Sequence, residues 1–217
     1  MLMKKVVLII LLFLLIMNQG KAQQALAVQV NAAVLDNPYL QVNQNSTFFT
    51  AANSATIGTR IIAALDTLII KSSKGNITLK RGQVAVFLQN ESYQALTGQF
   101  FEIGFKINHP PLTVPEQWVE PQKNTVVYDD AQFRIFEERL EAGDTRELHS
   151  HAQRLVVRLN NVQLTDPRFH KEIKAGTGIQ VPNTVKFAEP IVHAVKNLSN
   201  IPLFNIVIEF KIPHQVS

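Results

Sequence analysis

The sequence predicts an all-β chain built as two copies of one β-domain, a sandwich or barrel in each copy. Three observations predict it. Apolar residues recur with period two in short runs broken by Gly, Asn, Asp and Pro, over residues 67–87, 126–140, 155–164 and 202–211, the pattern of strands that bury one face. No segment shows twelve residues of helical periodicity, and only residues 45–60 are ambiguous. The halves also match each other in order. Val34 to Val42 (VLDNPYLQV) parallels Val127 to Ile135 (VYDDAQFRI), 93 positions later. Leu79-Lys80-Arg81-Gly82 parallels Ile173-Lys174-Ala175-Gly176 at 94, and Ile103 to His109 (IGFKINH) parallels Ile208 to His214 (IEFKIPH) at 105. Ordered matches at nearly one offset are the mark of a duplication, and the growth of the offset implies an insertion in the second copy.

Residues 1–22 read as an address. Lys4 and Lys5 give a basic start, Val6 to Met17 is an unbroken apolar run of twelve, and Gly20 and Ala22 put small residues three and one positions before Gln23. That is the layout of a cleaved secretory signal; a membrane span needs about 20 apolar residues. Residues 23–107 form the first copy. Four of the ten prolines, Pro110, Pro111, Pro115 and Pro121, fall in residues 108–124. Proline lacks an N–H donor and resists central strands, so this segment reads as a linker. Residues 125–217 form the second copy. The expected location is periplasmic or secreted.

Composition narrows the function. The chain has 217 residues, 46% of them apolar, 18% charged and none cysteine. Disorder is excluded by the apolar content, and disulfides, thiolate metal sites and cysteine nucleophiles by the absence of cysteine. The sequence pI near 9.4 belongs largely to the signal. Without Lys4, Lys5 and Lys21, 18 basic residues face 17 acidic ones, a net of +1. No basic run remains and Trp118 is the only tryptophan, so the footprint of a nucleic-acid binder is missing. There is no phosphate-binding glycine loop and no Gly-x-Ser-x-Gly elbow.

The copies differ in what they could do. Residues 23–110 carry 10 charged residues and residues 111–217 carry 25, and the first copy has no histidine before His109. Histidine chemistry therefore belongs to the second copy. Its informative segment is Glu147-Leu148-His149-Ser150-His151-Ala152-Gln153-Arg154. Residues i and i+2 of a strand share a face, so His149 and His151 point the same way, within reach of one ion at about 2.1 Å from each ring. The same alternation puts Glu147 and Gln153 on that face, as a fourth ligand or a group orienting a ligated histidine. It puts Arg154 and Arg158 opposite, on a solvated outer face, although either could grip a carboxylate. His193, in Val192-His193-Ala194-Val195-Lys196-Asn197, is the candidate third ligand. Asn197 reads as fixing a turn, His170 as loop surface, Trp118 as packing over a barrel seam, and His109 and His214 as structural residues at matching strand ends.

Gly143-(x)5-His149-x-His151 resembles the first half of the first cupin motif, and Gly176-(x)5-Pro182 with His193-(x)3-Asn197 resembles the second. The resemblance spans residues 30–213 and implies two tandem antiparallel jelly-roll (cupin) barrels, a bicupin with a degenerate N-terminal copy. It implies one divalent metal, Fe, Mn, Ni, Cu or Zn, on His149, His151 and His193 inside the second barrel, and a small organic ligand or substrate. Three imidazoles leave coordination positions open. For an enzyme, the resemblance implies metal-centred oxidation, or isomerase or lyase chemistry in which the ion polarises a carbonyl, with Glu147 as the nearest base. The alternative is a non-catalytic small-molecule-binding module without metal. Neither nucleic acid nor, after signal cleavage, a membrane is an expected partner, and a homodimer is implied by resemblance alone. Two departures stand out. The glutamate that cupins place three or four residues beyond the second histidine is replaced by Leu155 and Val156. Eleven positions separate Pro182 from His193, so either that loop is lengthened or Pro190 is the true equivalent, with Val185 to Phe187 as the strand.

Overall fold

The computed structural model describes residues 33–46, 55–115, 117, 119, 124–168 and 178–211, so the predicted signal and residues Trp118, His170 and His214 lie outside the described residues. Every regular element described is a strand, and every pairing is antiparallel. None is a helix long and apolar enough to cross a membrane.

The first copy contains β1 (Ala33–Asp36), β2 (Leu40–Asn45), β3 (Ile57–Ala64), β4 (Leu68–Ser72), β5 (Gly75–Leu79), β6 (Val84–Phe87), β7 (Tyr93–Thr97) and β8 (Phe100–Lys106). The second contains β9 (Asn124–Asp129), β10 (Phe133–Leu140), β11 (Thr145–His151), β12 (Arg154–Arg158), β13 (Gln163–Thr165), β14 (Gly178–Ile179), β15 (Thr184–Ala188), β16 (Ile191–Asn197) and β17 (Leu203–Phe210). Sheet order β1-β2-β8-β3-β6 in the first copy repeats as β9-β10-β17-β12-β15 in the second, and β5-β4-β7 is echoed by β14-β13-β16-β11. Strand β11 has its place in the chain between β10 and β12; the corresponding stretch of the first copy falls largely at residues 47–54, outside the described residues.

The duplication extends to single hydrogen bonds. Asn37 Oδ1 accepts from the backbone N–H groups of Tyr39 and Leu40, and Asp130 Oδ1 accepts from those of Gln132 and Phe133. Each side chain closes a turn on its own backbone, which is what Asn and Asp do well. Leu40 and Phe133, 93 positions apart, then open strands paired to Phe105 and Phe210, 105 positions apart. Lys106 Nζ donates to Asp36 and to Asn37 O; Lys211 Nζ reaches Asp129 and Asp130 O in the same way. One repeat match needs correction. Gly82 donates its N–H to Ala64 O, and its counterpart by register is Asn183, which donates to Arg158 O. Both residues have positive φ, +82° and +54°, a conformation open to Gly and tolerated by Asn. Ile173 to Gly176, which match Leu79 to Gly82 in sequence, lie outside the described residues; by register the backbone requirement at this turn is met by a different residue type.

The expected boundary at residues 108–124 separates the sheets, while buried residues of both copies belong to one apolar core. The two five-stranded sheets pack against each other through Leu40, Val42, Ile61, Ala63, Phe101 and Ile103 on one side and Phe133, Ile135, Leu155, Val157, Ile206 and Ile208 on the other. The alternate residues of β3, Ile62 and Ala64, turn the other way into an apolar cluster with Leu68, Ile70, Ala95 and Phe100. Central strands are thus buried on both faces, which explains their near-continuous apolar runs. Inside the first copy a group of buried polar side chains gathers around Glu102. Tyr93 Oη donates to Glu102 Oε1 at 2.7 Å, Arg60 Nε lies 3.5 Å from the same oxygen, and Asn45 Nδ2 donates to Glu102 Oε2.

Because both copies contribute to one core, urea unfolding should follow a single transition. Ile208, fully buried between the sheets, should cost about 3 kcal/mol when cut to alanine. The midpoint should fall without splitting, read by fluorescence and circular dichroism together; two separated transitions would contradict the shared core.

Candidate metal centre and its cavity

β11 and β16 place three histidines together. His149 is the direct cross-strand partner of His193, and His151 lies two residues beyond His149 on the same face. Ring centroids are 4.8 Å apart for His149 and His151, 4.6 Å for His149 and His193, and 5.4 Å for His151 and His193. All three are buried, and one nitrogen from each lies within 4.8 Å of the others. Two bonds of about 2.1 Å span at most about 4.2 Å, a difference that small ring rotations close.

The hydrogen bonds agree with a ligand role. His149 Nδ1 donates to Glu147 O at 2.7 Å, which leaves Nε2 as the nitrogen with a lone pair; that atom has no partner in the protein. Both ring nitrogens of His193 are likewise buried without a partner, as is His151 Nδ1, which lies 3.4 Å from Glu209 Oε1 without hydrogen bonding. Buried polar atoms are normally paired, so four orphaned nitrogens on three rings, each ring with one lone pair to give, point to a group that accepts a lone pair from each. Burial pushes all three pKa values down, and in His151 and His193 proximity to the other histidines adds to the effect; His193 is pushed down to about 2. The rings are therefore neutral, the form that binds metal. A divalent cation fits this donor set.

Glu147 is not on this face. A bulge between Arg146 and His149 shifts the register, so strand alternation breaks there: Arg146 points in, Glu147 and Leu148 are exposed, and His149 points in again. Glu147 reaches the site through its carbonyl oxygen alone. Gln153 is buried, but it serves the linker and the loop after β15, accepting from Thr113 N–H at 3.0 Å and donating to Glu189 at 2.8 Å. Arg154 and Arg158 also depart from expectation. The turn at Ala152 and Gln153 moves the chain from one sheet to the other, so the alternation of β11 does not carry into β12. Leu155 and Val157 enter the core between the copies, and Arg154, Val156 and Arg158 line a cavity of about 360 Å³ inside the second copy.

His151 and His193 line the same cavity. Asn197 fixes a turn as expected, with Nδ2 donating to the carbonyls of Leu140 and Ile201 and Oδ1 accepting from Ser199 N–H. His109 is exposed. Pro190 directly precedes β16, and β15 contains Val185 to Phe187, which favours the second of the two readings of that loop.

Glu209 is the site residue that sequence reasoning missed. It faces inward on β17, accepts a 2.6 Å hydrogen bond from Ala152 N–H, and is pushed up to about 7 by burial, against the pull of that N–H and of Arg154. A signal existed: a charge inside Ile206-Val207-Ile208-Glu209-Phe210, where the first copy has Gly104. Glu138 and Arg146 form a further buried pair at 2.9 Å, with Asn205 Nδ2 donating to the second carboxylate oxygen.

No protein-family profile matches the sequence, and no curated protein matches it. Solved structures do. The chain resembles a cupin 2 conserved barrel domain protein from Leptotrichia buccalis with a TM-score of 0.54 at 14% identity, covering 87% of this chain and 94% of that one. This chain has the cupin fold. An IolB-like protein from Salmonella typhimurium aligns with it at TM-score 0.54 and 10% identity, covering 83% and 89% of the two chains. A protein from Geobacillus kaustophilus aligns at 0.53 and 10%, covering 85% and 90%. At these identities the likeness is one of fold. Within this cupin fold, the histidines occupy the interior of the second sheet pair.

Arg146→Met should unfold at lower urea, by about 3 kcal/mol, because it leaves the buried Glu138 carboxylate unpaired. Adding Glu138→Gln to it should recover part of the loss. Equal stability of Arg146→Met and the parent would show that the pair is not needed.

Proposed function

We propose that the protein is an exported cupin that holds one divalent metal on His149, His151 and His193 and binds a small organic molecule in the adjoining cavity. The observation that carries this reading is the group of buried, neutral imidazoles whose unpartnered ring nitrogens gather beside a cavity. Supporting it, the Glu147 carbonyl fixes the tautomer of His149, and a carboxylate oxygen of Glu209 lies 3.4 Å from His151 Nδ1. Export is read from the signal-like residues 1–22.

When bound, such an ion supplies Lewis acidity or, for a redox metal, electron transfer. The chain's own residues do the rest. The histidines hold three positions from one side. Arg154, whose Nη1 donates to Ala152 O and Glu189 O, anchors the strand turn that brings Glu209 to the site. The apolar side chains of Val156, Val195 and Val207 line part of the cavity. An oxygenase or isomerase activity is compatible with this arrangement. A metal-free binding module is the competing reading, and the replacement of the usual motif glutamate by Leu155 and Val156 favours it.

Metal content decides between them. Protein purified without a polyhistidine tag should carry about one divalent ion per chain by plasma mass spectrometry, and a His149→Ala/His151→Ala variant close to none. Equal, near-zero content in both after dialysis against divalent ions would favour the metal-free module. Chelation should also lower Tm. At a free metal concentration about 100-fold above Kd, the ion stabilises by about 2.7 kcal/mol, or roughly 5–10 °C for a chain of this size. An unchanged Tm would argue against a site coupled to folding.

A further inference from the structure

We propose that the cavity of the second copy takes a small carboxylate with an apolar body, its anionic group held by Arg158 and Lys186; this rests on reading the cavity as a ligand site. The two cations belong to neighbouring strands. Lys186 on β15 stands opposite Val156 on β12, and Arg158 is two residues along β12 from Val156. Diagonal neighbours of this kind lie about 7–8 Å apart between Cα atoms, within joint reach of one small anion for side chains this long. Both line the cavity that His151 and His193 also line.

Arg158 and Lys186 carry their charges on the cavity wall. Among the described residues neither makes an ion pair. The acids on the same walls are already engaged: Glu138 with Arg146 and Asn205, and Glu189 with Gln153. Arg158 Nε is buried with no acceptor, and Gln180 Oε1 and Asn205 Oδ1, on the same cavity wall, are buried with no donor. Burial lowers the pKa of Arg158, and burial with repulsion from Arg158 and Arg154 lowers that of Lys186. Two adjacent cations with no counter-charge, at a wall partly removed from water, are stabilised by an anion. A carboxylate matches the guanidinium by paired hydrogen bonds.

The remaining wall sets the rest of the ligand. Val156, Leu164, Val195 and Val207 present hydrocarbon, and about 360 Å³ lies at the low end of the roughly 300–1,000 Å³ of small-molecule pockets. The ligand is therefore compact, with one anionic end and an apolar remainder.

The test is calorimetric titration of the full protein with benzoate and hexanoate, and with their uncharged amides, before and after chelation. Expected are binding of at least one of the two acids below about 10 mM, amides weaker by roughly tenfold, and losses of roughly fivefold or more in Arg158→Gln and in Lys186→Gln. Both variants should keep the parent's metal content and melting temperature; Lys186 is exposed, so that variant remains informative if Arg158→Gln is less stable. Equal affinity for acids and amides, parental affinity in Lys186→Gln, or no binding of either acid at about 10 mM would overturn the inference. Carboxylate binding that survives chelation, in a protein with no metal at purification, would leave this inference standing while the metal reading falls.

Discussion

The apolar face shared by the two five-stranded sheets is the constraint on which the rest of the structure depends. Strands β3 and β17 sit next to one another's layers with both of their faces buried, and neither sheet could stand with that face in water. Ile61, Ile103, Leu155, Ile206 and Ile208 are all fully buried there. Once that face is covered, the opposite face of each sheet is free to hold something other than hydrocarbon. The first copy fills its inner face mainly with apolar side chains and the Arg60–Glu102–Tyr93 set. The second opens a cavity walled by histidines, arginines and carboxylates.

This division of labour explains how so many polar groups stand inside one half of a small protein. Burying an unpaired charge is expensive, and the second copy manages it by pairing Glu138 with Arg146, by directing the Arg154 guanidinium at carbonyl oxygens, and by keeping its histidines neutral. Several of the atoms left without a partner among the described residues line the cavity: Nδ1 of His151, the ring nitrogens of His193, the Nε of Arg158 and the side-chain oxygens of Gln180 and Asn205. The fourteen-per-cent-identity likeness to a cupin barrel protein concerns architecture alone.

The fold was legible because its determinants are local and periodic. Period-two apolar runs and the paired turns at Asn37 and Asp130 can be read without knowing what they pack against, and the structure retains both. His149, His151 and His193 were legible for a similar reason: an i, i+2 pair stays on one face wherever the strand goes, and the third histidine stood alone in another strand. Glu147 and Arg154 were misread because alternation was carried through a bulge and through a turn, each of which resets it. Gly82 was matched to Gly176 by identity, when the turn demanded only a residue that tolerates positive φ, and Asn183 supplies it.

The sequence by itself determined the strand content, the duplication, the concentration of histidine in the second copy and the pair that faces one way, since each follows from spacing along a single strand. Tertiary structure alone decided that the copies share a core, that His193 stands opposite His149, that Glu209 lies beside His151, and that Arg154 and Lys186 border the same cavity as His151 and His193. Those relations join strands far apart in the chain, and cross-strand register is settled by which faces must be buried together, a quantity that no single strand contains.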